Sequence, residues 1–383
     1  MTFHRLNPFF GHIEERYPLT KPDSSKQTWH VRINISGSEL DFRVGDSIGI
    51  LPKNDPLIVA QILEQLQVPA DKLFNDPRTK EQYSAFQLLS ARYTITHLHK
   101  KVLLKIAEYI PASLQPEFLA LLDKDEDWIR VHDLSDWLQF AQNPPIPFDA
   151  LLETLTPMLP RLYSIASSLL VDRERLDLTV SRLSVEAAGK TRPGICSNYL
   201  TQIAPLFDPE VGVYLQPTKH FHFPEDDLMP VILIGPGTGI APFRAYLQER
   251  LARGSNLGTR LGSHLGKVWL FFGERHSATD FLYEDFWNKL MQLPFFRMDV
   301  AFSRDRDHKV YVQHKMWENR EELLSWLDQG ARVYICGDAQ RMARDVEAML
   351  LAIFQERFHG DMALAKEALK QLRKEGRYLR DVY

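Results

Sequence analysis

The sequence contains little cysteine, no surplus of positive charge and no long apolar run. Its 383 residues include two cysteines, Cys196 and Cys336, which exclude a disulfide framework and a zinc-type ligand spacing and fit a reducing cytoplasm. The net charge of -4 argues against a nucleic-acid partner, because such proteins usually carry a basic excess. No segment approaches the roughly 18 apolar residues of a membrane helix. We therefore expect a cytoplasmic protein with no metal site, no membrane contact and no nucleic-acid partner.

The length of the chain allows two or three domains. Alternating apolar residues predict strands over 29–36 and Ser47–Leu51, and an antiparallel pattern of this kind indicates a barrel or sandwich. Helical spacing then predicts a mostly helical segment from about 55 to 152, which interrupts the strands. Strand character returns at Leu162–Ala166 and Leu176–Leu183.

From Met229 onward, strands alternate with helices. The run Val231–Ile234 is continuously apolar, as in a parallel strand that is buried on both faces. Three glycines follow it within Gly235–Pro242, and a helix follows them, so this loop lets a backbone approach a pyrophosphate closely. Further strands are predicted at Val268–Phe272, Met298–Phe302 and Val333–Cys336. This pattern predicts a doubly wound parallel sheet with its ligand at the carboxyl ends of the strands.

The segment Thr156–Ser168 carries the first candidate site. Two prolines exclude a helix across its first half, and a strand there places Arg161 and Tyr163 on one face. A guanidinium suits a phosphate, an aromatic ring suits a flat heterocycle, and Ser164 adds a hydroxyl. The alternative is an ordinary strand with one exposed arginine and one half-buried tyrosine.

A second phosphate site is predicted where Pro193-Gly194 forms a turn. Ser197 can cap a short helix that starts near Asn198, and the N–H groups of a helix N-terminus bind phosphate. The alternative is a plain capped helix.

Two observations bear on the choice of coenzyme and leave it open. Glu274 ends the strand after the glycine loop, where a carboxylate holds a ribose diol in NAD-type folds. Ser303-Arg304, Lys309 and Tyr311 follow the next strand, and this cluster suits the 2′-phosphate of NADP. The alternative for the cluster is a solvated charged loop.

These residues, taken in order, resemble the ferredoxin–NADP reductase superfamily, and within it the reductase half of the diflavin enzymes. The matching motifs are Gly45-Asp46, Pro52, Asn54-Asp55-Pro56, Arg161 to Ser168, Gly235 to Phe243, Ser303-Arg304-Asp305, Lys309 to Gln313, Tyr334 to Asp338, and Arg380 to Tyr383. The resemblance implies an α/β plus all-β chain. An antiparallel FAD-binding β-barrel (1–54 and 153–226) holds a helical connecting subdomain (55–152), and a doubly wound parallel-sheet NADP-binding domain (227–383) follows.

The resemblance also implies roles for individual residues. Arg161 and the turn from Gly194 to Ser197 would bind the FAD pyrophosphate, Tyr163 would lie on one face of the isoalloxazine, and Tyr383 would lie on the other and move aside for nicotinamide. Ser164, Cys336 and Asp381 would be catalytic. The cofactor-binding set further contains Leu162, Ser164, Thr179, Cys196, Gly237, Thr238, Gly239 and Asp338, with Ser303, Arg304, Lys309, Tyr311 and Gln313 at the 2′-phosphate.

The implied activity is an NADPH-dependent FAD reductase that passes a hydride from nicotinamide C4 to flavin N5 and then gives single electrons to a separate protein. That acceptor would be a sirohaem sulfite reductase subunit, or alternatively a flavodoxin-like carrier; a third alternative is a non-catalytic flavin-binding subunit. Diflavin enzymes carry an FMN domain, for which the first ~28 residues leave no room. Ser184-Val185-Glu186 stands where relatives tend to carry an aromatic residue for the FAD adenine, so we expect weaker FAD binding.

Overall fold

Two β-sheets and an intervening set of helices organise the chain. The computed structural model describes residues 3–141, 144–256 and 265–383. The strands in these residues are β1 (Phe9–Pro18), β2 (Gln27–Asn34), β3 (Ser47–Leu51), β4 (Leu73–Asn75), β5 (Gln82–Ser84), β6 (Arg161–Ser164), β7 (Arg175–Arg182), β8 (Ser184–Ala187), β9 (Lys190–Pro193), β10 (Val211–Gln216), β11 (Val231–Ile234), β12 (Val268–Glu274), β13 (Phe296–Phe302), β14 (Arg332–Gly337) and β15 (Tyr378–Val382).

The helices connect and cover these strands. They are α1 (Pro56–Gln65), α2 (Ala85–Gln87), α3 (Lys100–Ala107), α4 (Gln115–Leu121), α5 (Glu126–Arg130), α6 (Leu134–Leu138), α7 (Phe148–Leu152), α8 (Ile195–Asn198), α9 (Ala241–Asn256), α10 (Ser277–Asp280), α11 (Glu284–Leu290), α12 (Val312–Glu318), α13 (Arg320–Asp328), α14 (Met342–Arg357) and α15 (Met362–Lys374). Short turns of other helical geometry span Leu88–Arg92, Tyr199–Ile203 and Gly237–Ile240. None of the described helices combines the length and apolar character needed to cross a membrane.

The first sheet is an antiparallel barrel. Its strand order is β6-β3-β10-β1-β2-β7, so β2 and β3 are separated by other strands. The two edge strands approach each other beyond β6, where Ile165 pairs with Leu178 and the Ala166 N–H donates to the Asp177 carbonyl at 2.8 Å. Alternate side chains such as Ile48 and Val180 point into the barrel core. The predicted barrel is therefore confirmed, although β1 was not among the predicted strands.

The small hairpin that follows the barrel strand β7 corrects the prediction of a turn at Pro193-Gly194. Pro193 ends β9, which pairs with β8. The hairpin turns instead at Ala188 and Gly189, whose φ angles are 52° and 73°. Two consecutive positive φ values are typical of the tight turn that best matches the twist of a hairpin.

The segment between β3 and β6 contains α1 to α7 and the hairpin β4–β5. Helix α1 starts at Pro56 because the Asp55 side chain accepts from the Leu57 N–H, while proline occupies the first turn, where its missing N–H costs nothing. These helices bury an apolar core of their own, which includes Ile62, Phe118 and Trp137.

The second sheet is parallel and has the strand order β13-β12-β11-β14-β15. Side chains of β11 and β12 alternate between two apolar cores, one on each face of the sheet, so both faces are covered by helices. This arrangement confirms the predicted doubly wound sheet. Strand β15 lies beside β14 with Cys336 opposite Asp381.

Candidate active site

A serine, a cysteine and an aspartate meet where the barrel contacts the parallel sheet. Ser164 ends β6, whereas Cys336 and Asp381 are register partners on β14 and β15. The Ser164 hydroxyl donates to Asp381 Oδ2 at 2.9 Å across 217 positions of sequence, and Cys336 Sγ lies 3.9 Å from the same oxygen. The structure therefore brings together the three residues that the sequence predicted to be catalytic.

Burial controls the protonation of this cluster. It raises the pKa of the Asp381 carboxyl, while the hydrogen bonds from Ser164 and Cys336 act in the opposite direction. Burial, with the neighbouring Asp381 charge, raises the pKa of the Cys336 thiol well above its ordinary value. The thiol therefore stays protonated at neutral pH. The site offers one poorly hydrated carboxyl group held by two donors.

Tyr383 is attached to both β14 and the glycine loop. Its hydroxyl lies 2.7 Å from Thr238 Oγ1, and its backbone N–H donates to the Gly337 carbonyl at 3.1 Å. The residue is nevertheless 64% exposed. Within the described residues, one side-chain hydrogen bond thus holds an accessible aromatic ring next to the cluster.

The strand β6 presents the predicted flavin-contacting residues. Tyr163 is half-buried, and the pKa of its phenol is raised by burial and by the adjacent Cys196. Cys196 is itself buried, which raises the pKa of its thiol to about 12. Arg161 and Leu162 are exposed, and the Arg161 guanidinium has no hydrogen-bond or ion-pair partner among the described residues. A free guanidinium beside an aromatic residue fits a dinucleotide phosphate and an adjoining flat ring.

The glycine loop lies between β11 and α9, as the sequence predicted. Gly237 has a φ of +60°, and the nearest atoms to a Cβ there would be Glu274 Oε1 at 3.7 Å and Lys26 Nζ at 3.9 Å. At Gly239 a Cβ would stand 2.1 Å from the Cys336 carbonyl oxygen. Glycine at position 239 therefore lets the loop pack directly against the end of β14, beside the cluster of Ser164, Cys336 and Asp381.

The predicted capping role of Ser197 is wrong. Helix α8 begins at Ile195 with Gly194 as its N-cap, so Ser197 lies inside the helix. The Ser197 hydroxyl donates to the Gly194 carbonyl at 3.3 Å and accepts from the Leu183 N–H at 3.3 Å. It joins the helix to the end of β7. The segment from Gly194 to Ser197, which is the N-terminal part of α8 and follows the hairpin β8–β9, stays the predicted site for the FAD pyrophosphate.

The basic loop after β13 carries the predicted 2′-phosphate residues. Backbone hydrogen bonds join Ser303 to Glu274 and Arg304 to Arg275, so this loop lies beside the end of β12. Arg304, Lys309 and Tyr311 are exposed.

The contacts of Asp305 and Gln313 show how the predicted 2′-phosphate residues are placed. Asp305, which could have neutralised the loop, instead accepts from the Ser277 N–H at 3.1 Å and lies 3.4 Å from His276. Gln313 lies on α12, where its amide donates to Asp345 at 3.4 Å.

Glu274 does not offer a free carboxylate for a ribose diol. It is buried, its Oε1 accepts from Lys26, and its Oε2 accepts from the Arg275 N–H at 3.0 Å. Burial raises the pKa of this carboxyl despite the lysine. Glu274, the residue that favoured NAD in the sequence, is therefore engaged in an internal ion pair with Lys26.

Two further predicted cofactor residues have hydrogen-bond partners within the protein. Thr179 is buried, and its hydroxyl lies 2.8 Å from Tyr283 Oη at the contact between barrel and parallel sheet. Asp338 is exposed, and its carboxylate accepts from the backbone N–H groups of Arg341 and Met342 at the start of α14. The structure gives both residues structural partners.

Sequence reasoning missed the loop before β2, which reaches the basic cluster. Ser25 Oγ accepts from Arg275 at 2.8 Å and from Arg304 at 3.4 Å, and Lys26 bonds Glu274. These partners lie about 250 positions from the loop, and no local pattern connects them.

Comparison with known proteins agrees with this geometry. Residues 1–199 match the family model described as FAD binding domain, and residues 233–348 match the one described as Oxidoreductase NAD-binding domain. The chain is 36% identical over 385 residues to the sulfite reductase [NADPH] flavoprotein alpha-component of Bacillus subtilis, covering all of this chain and 62% of that protein. It is 39% identical over 389 residues to the protein of the same description from Shewanella oneidensis, covering all of this chain and 61% of that one. The chain thus spans about three-fifths of the length of these relatives.

Proposed function

Since this chain belongs to the flavoprotein oxidoreductases of the ferredoxin–NADP reductase-like, diflavin type, we propose that it moves electrons from NADPH through FAD to an acceptor protein. The observation that carries this proposal is the meeting of Ser164, Cys336 and Asp381 from two sheets, next to an aromatic ring that is bonded to the glycine loop. The proposed domain boundaries are 1–54 with 153–226, 55–152, and 227–383.

The described residues fit FAD. Arg161 and the N-terminal segment of α8 from Gly194 to Ser197 would hold its pyrophosphate, and Tyr163 would support one face of the ring system. When bound, FAD accepts a hydride from nicotinamide and releases electrons one at a time, which is chemistry that side chains do not supply. The protein contributes placement and electrostatics.

The described residues also fit NADP. The backbone at Gly237 to Gly239 would accommodate the pyrophosphate, and Arg304 with Lys309, Ser303 and Tyr311 would bind the 2′-phosphate. The internal pairing of Glu274 supports NADP over NAD.

Asp381 would act through its charge. Nicotinamide becomes positively charged as it loses a hydride, and an ionised carboxylate in a poorly hydrated site stabilises that charge strongly. Ser164 and Cys336 hold the carboxylate in place by donating to Oδ2. An ionised carboxylate only accepts hydrogen bonds, so Asp381 can accept from both donors at once.

We expect Asp381→Asn to slow flavin reduction by NADPH about tenfold, which corresponds to ~1.4 kcal/mol of lost transition-state stabilisation. Asparagine has the same shape but no charge. Anaerobic stopped-flow absorbance at saturating NADPH measures this rate. Asp361→Asn, which changes a carboxylate at the start of α15, is the matched control and should leave the rate unchanged. An unaltered rate in Asp381→Asn contradicts the electrostatic role.

The same role predicts a pH dependence. The activity needs the ionised form of Asp381, and burial raises the pKa of this carboxyl above its ordinary value. The rate should therefore fall as pH drops through that raised pKa, at a higher pH than an exposed aspartate would give. Asp381→Asn should abolish this limb of the pH–rate profile; a limb that persists in the variant belongs to another group.

For the acceptor we propose the haemoprotein subunit of a sulfite reductase, on the basis of the relatives' description. The test has two stages. Ferricyanide reduction with NADPH first establishes that the chain releases electrons to an artificial acceptor. NADPH-dependent reduction of a sulfite reductase haemoprotein then tests the specific acceptor, with flavodoxin in parallel; ferricyanide activity without haem reduction would reject this acceptor and retain the reductase.

A further inference from the structure

Arg244 links the two sheets through a buried ion pair. It lies in the first turn of α9, directly after the glycine loop, and is 8% exposed. Its Nη1 donates across the contact between the two sheets, to the Ala166 carbonyl at 2.6 Å and to Asp177 Oδ2 at 3.0 Å. Both acceptors belong to the barrel.

The two acceptors, the Ala166 carbonyl and Asp177, lie where the barrel closes beside β6, the strand that carries Tyr163 and Ser164. Ala166 is two residues beyond Ser164, and its N–H donates to the Asp177 carbonyl at 2.8 Å. One guanidinium therefore connects the segment that carries Tyr163 and Ser164 with the helix that begins at the glycine loop. Neither Tyr383 nor the cluster of Ser164, Cys336 and Asp381 takes part in this contact.

The guanidinium packs against an aromatic ring and faces an ionised carboxylate. Its carbon lies 4.7 Å from the centroid of the Tyr283 ring, and the Tyr283 hydroxyl is bonded to Thr179 at 2.8 Å and to His30 Nδ1 at 3.2 Å. On the barrel side Asp177 also accepts from Arg32 at 2.8 and 3.1 Å. Burial acts to raise the pKa of Asp177, but the hydrogen bonds from His30 and Arg32 and the Arg244 charge outweigh it, so this carboxylate stays ionised.

We propose that Arg244, paired with Asp177, is a positioning residue that sets the distance and angle between the nicotinamide site and β6, the strand that would contact the flavin. This inference rests on the proposed function, because it concerns the placement of NADPH against FAD. A buried ion pair adds little net stability compared with an apolar contact of the same size, whereas it defines one geometry. Hydride transfer is sensitive to such geometry, since a displacement of about 1 Å costs up to roughly 100-fold in rate.

The test compares Arg244→Gln with Arg32→Gln. The control variant removes the other guanidinium from the same Asp177 carboxylate, but that contact lies entirely within the barrel. Stopped-flow reduction by NADPH separates the limiting rate from the NADPH Kd. We expect Arg244→Gln to lower the limiting rate at least about tenfold with less than threefold change in Kd, and Arg32→Gln to leave both unchanged. If Arg244→Gln does not fold, Arg244→Lys, which keeps the charge, is measured and should show a smaller loss of rate.

A distance measurement on the protein gives a second readout that needs no turnover. Spin labels are placed on Ser36→Cys in the barrel and Lys366→Cys on α15, both exposed positions, while the native Cys196 and Cys336 are buried. The distance distribution should broaden or shift in Arg244→Gln and stay narrow in Arg32→Gln.

The outcomes separate the two proposals. Equal rate losses in both variants, or an unchanged rate in Arg244→Gln, overturn the positioning role. Flavin that NADPH does not reduce in the parent protein refutes the proposed function, and the distance distribution then still decides whether Arg244 fixes the domains.

Discussion

Replacing Arg304 with alanine should lower kcat/KM for NADPH about 100-fold and leave kcat/KM for NADH within about threefold of the parent. The expected loss corresponds to ~3 kcal/mol, the upper range for a hydrogen bond to a charged group. The guanidinium is exposed, its one side-chain hydrogen bond within the described residues is the 3.4 Å contact with Ser25 Oγ, and Asp305 lies against His276. It is therefore available to a dianionic 2′-phosphate, which NADH lacks. Steady-state ferricyanide reduction with each coenzyme measures the effect.

The matched control is Arg306→Ala, which removes the same charge from the same exposed loop at a position with no predicted contact to the coenzyme. It should change kcat/KM for NADPH less than threefold. Equal losses for NADPH and NADH in Arg304→Ala would place the 2′-phosphate elsewhere. Equal losses in the two alanine variants would reduce the effect to general electrostatic attraction.

Replacing Tyr383 with alanine should raise kcat/KM for NADH by up to about 100-fold and thereby relax the coenzyme preference. The ring stands next to Ser164, Cys336 and Asp381 and is bonded to Thr238, so under the proposed function nicotinamide would have to displace it. If the displaced state is populated about 1% of the time, the apparent affinity of nicotinamide falls about 100-fold. Under the proposed function, NADPH would compensate for this loss through contacts of its 2′-phosphate, which NADH lacks.

Two comparisons isolate the ring. Alanine retains the backbone hydrogen bonds of residue 383 to Gly337 and Ala339, so β15 stays attached to β14. Tyr383→Phe keeps the ring and loses only the bond to Thr238, and it should raise NADH activity less than fivefold. An alanine variant with the parent's coenzyme preference would show that Tyr383 does not cover the nicotinamide site.

Local patterns were sufficient to predict the elements that carry the site. Three glycines between a buried strand and a helix located the loop between β11 and α9, because both flanking periodicities are strong. Alternation located β6, which spans Arg161–Ser164. Strand β1 escaped prediction because Gly11 and Ile13 are the only buried positions among its ten residues, which gives no apolar alternation.

Contacts between residues far apart in the sequence could not be predicted from local sequence patterns. Thr179 is predicted to contact the cofactor, and its hydroxyl lies 2.8 Å from Tyr283 Oη, a partner 104 positions away that no local pattern indicates. The partner of Glu274 is Lys26, 248 positions away, and the acceptor of Arg244 is Asp177. Ser197 was read as a cap because serine usually is one, whereas the extended backbone of Gly194 starts the helix three residues earlier. Family resemblance, rather than spacing, joined Ser164 to Cys336 and Asp381.

The most direct test of the account is anaerobic mixing of the purified protein with NADPH and, separately, with NADH, while the visible absorbance of the flavin is followed. We predict bound FAD that NADPH bleaches rapidly and that NADH bleaches much more slowly. Protein without flavin, or flavin that neither coenzyme reduces, would contradict the assignment of this site to hydride transfer from NADPH to FAD.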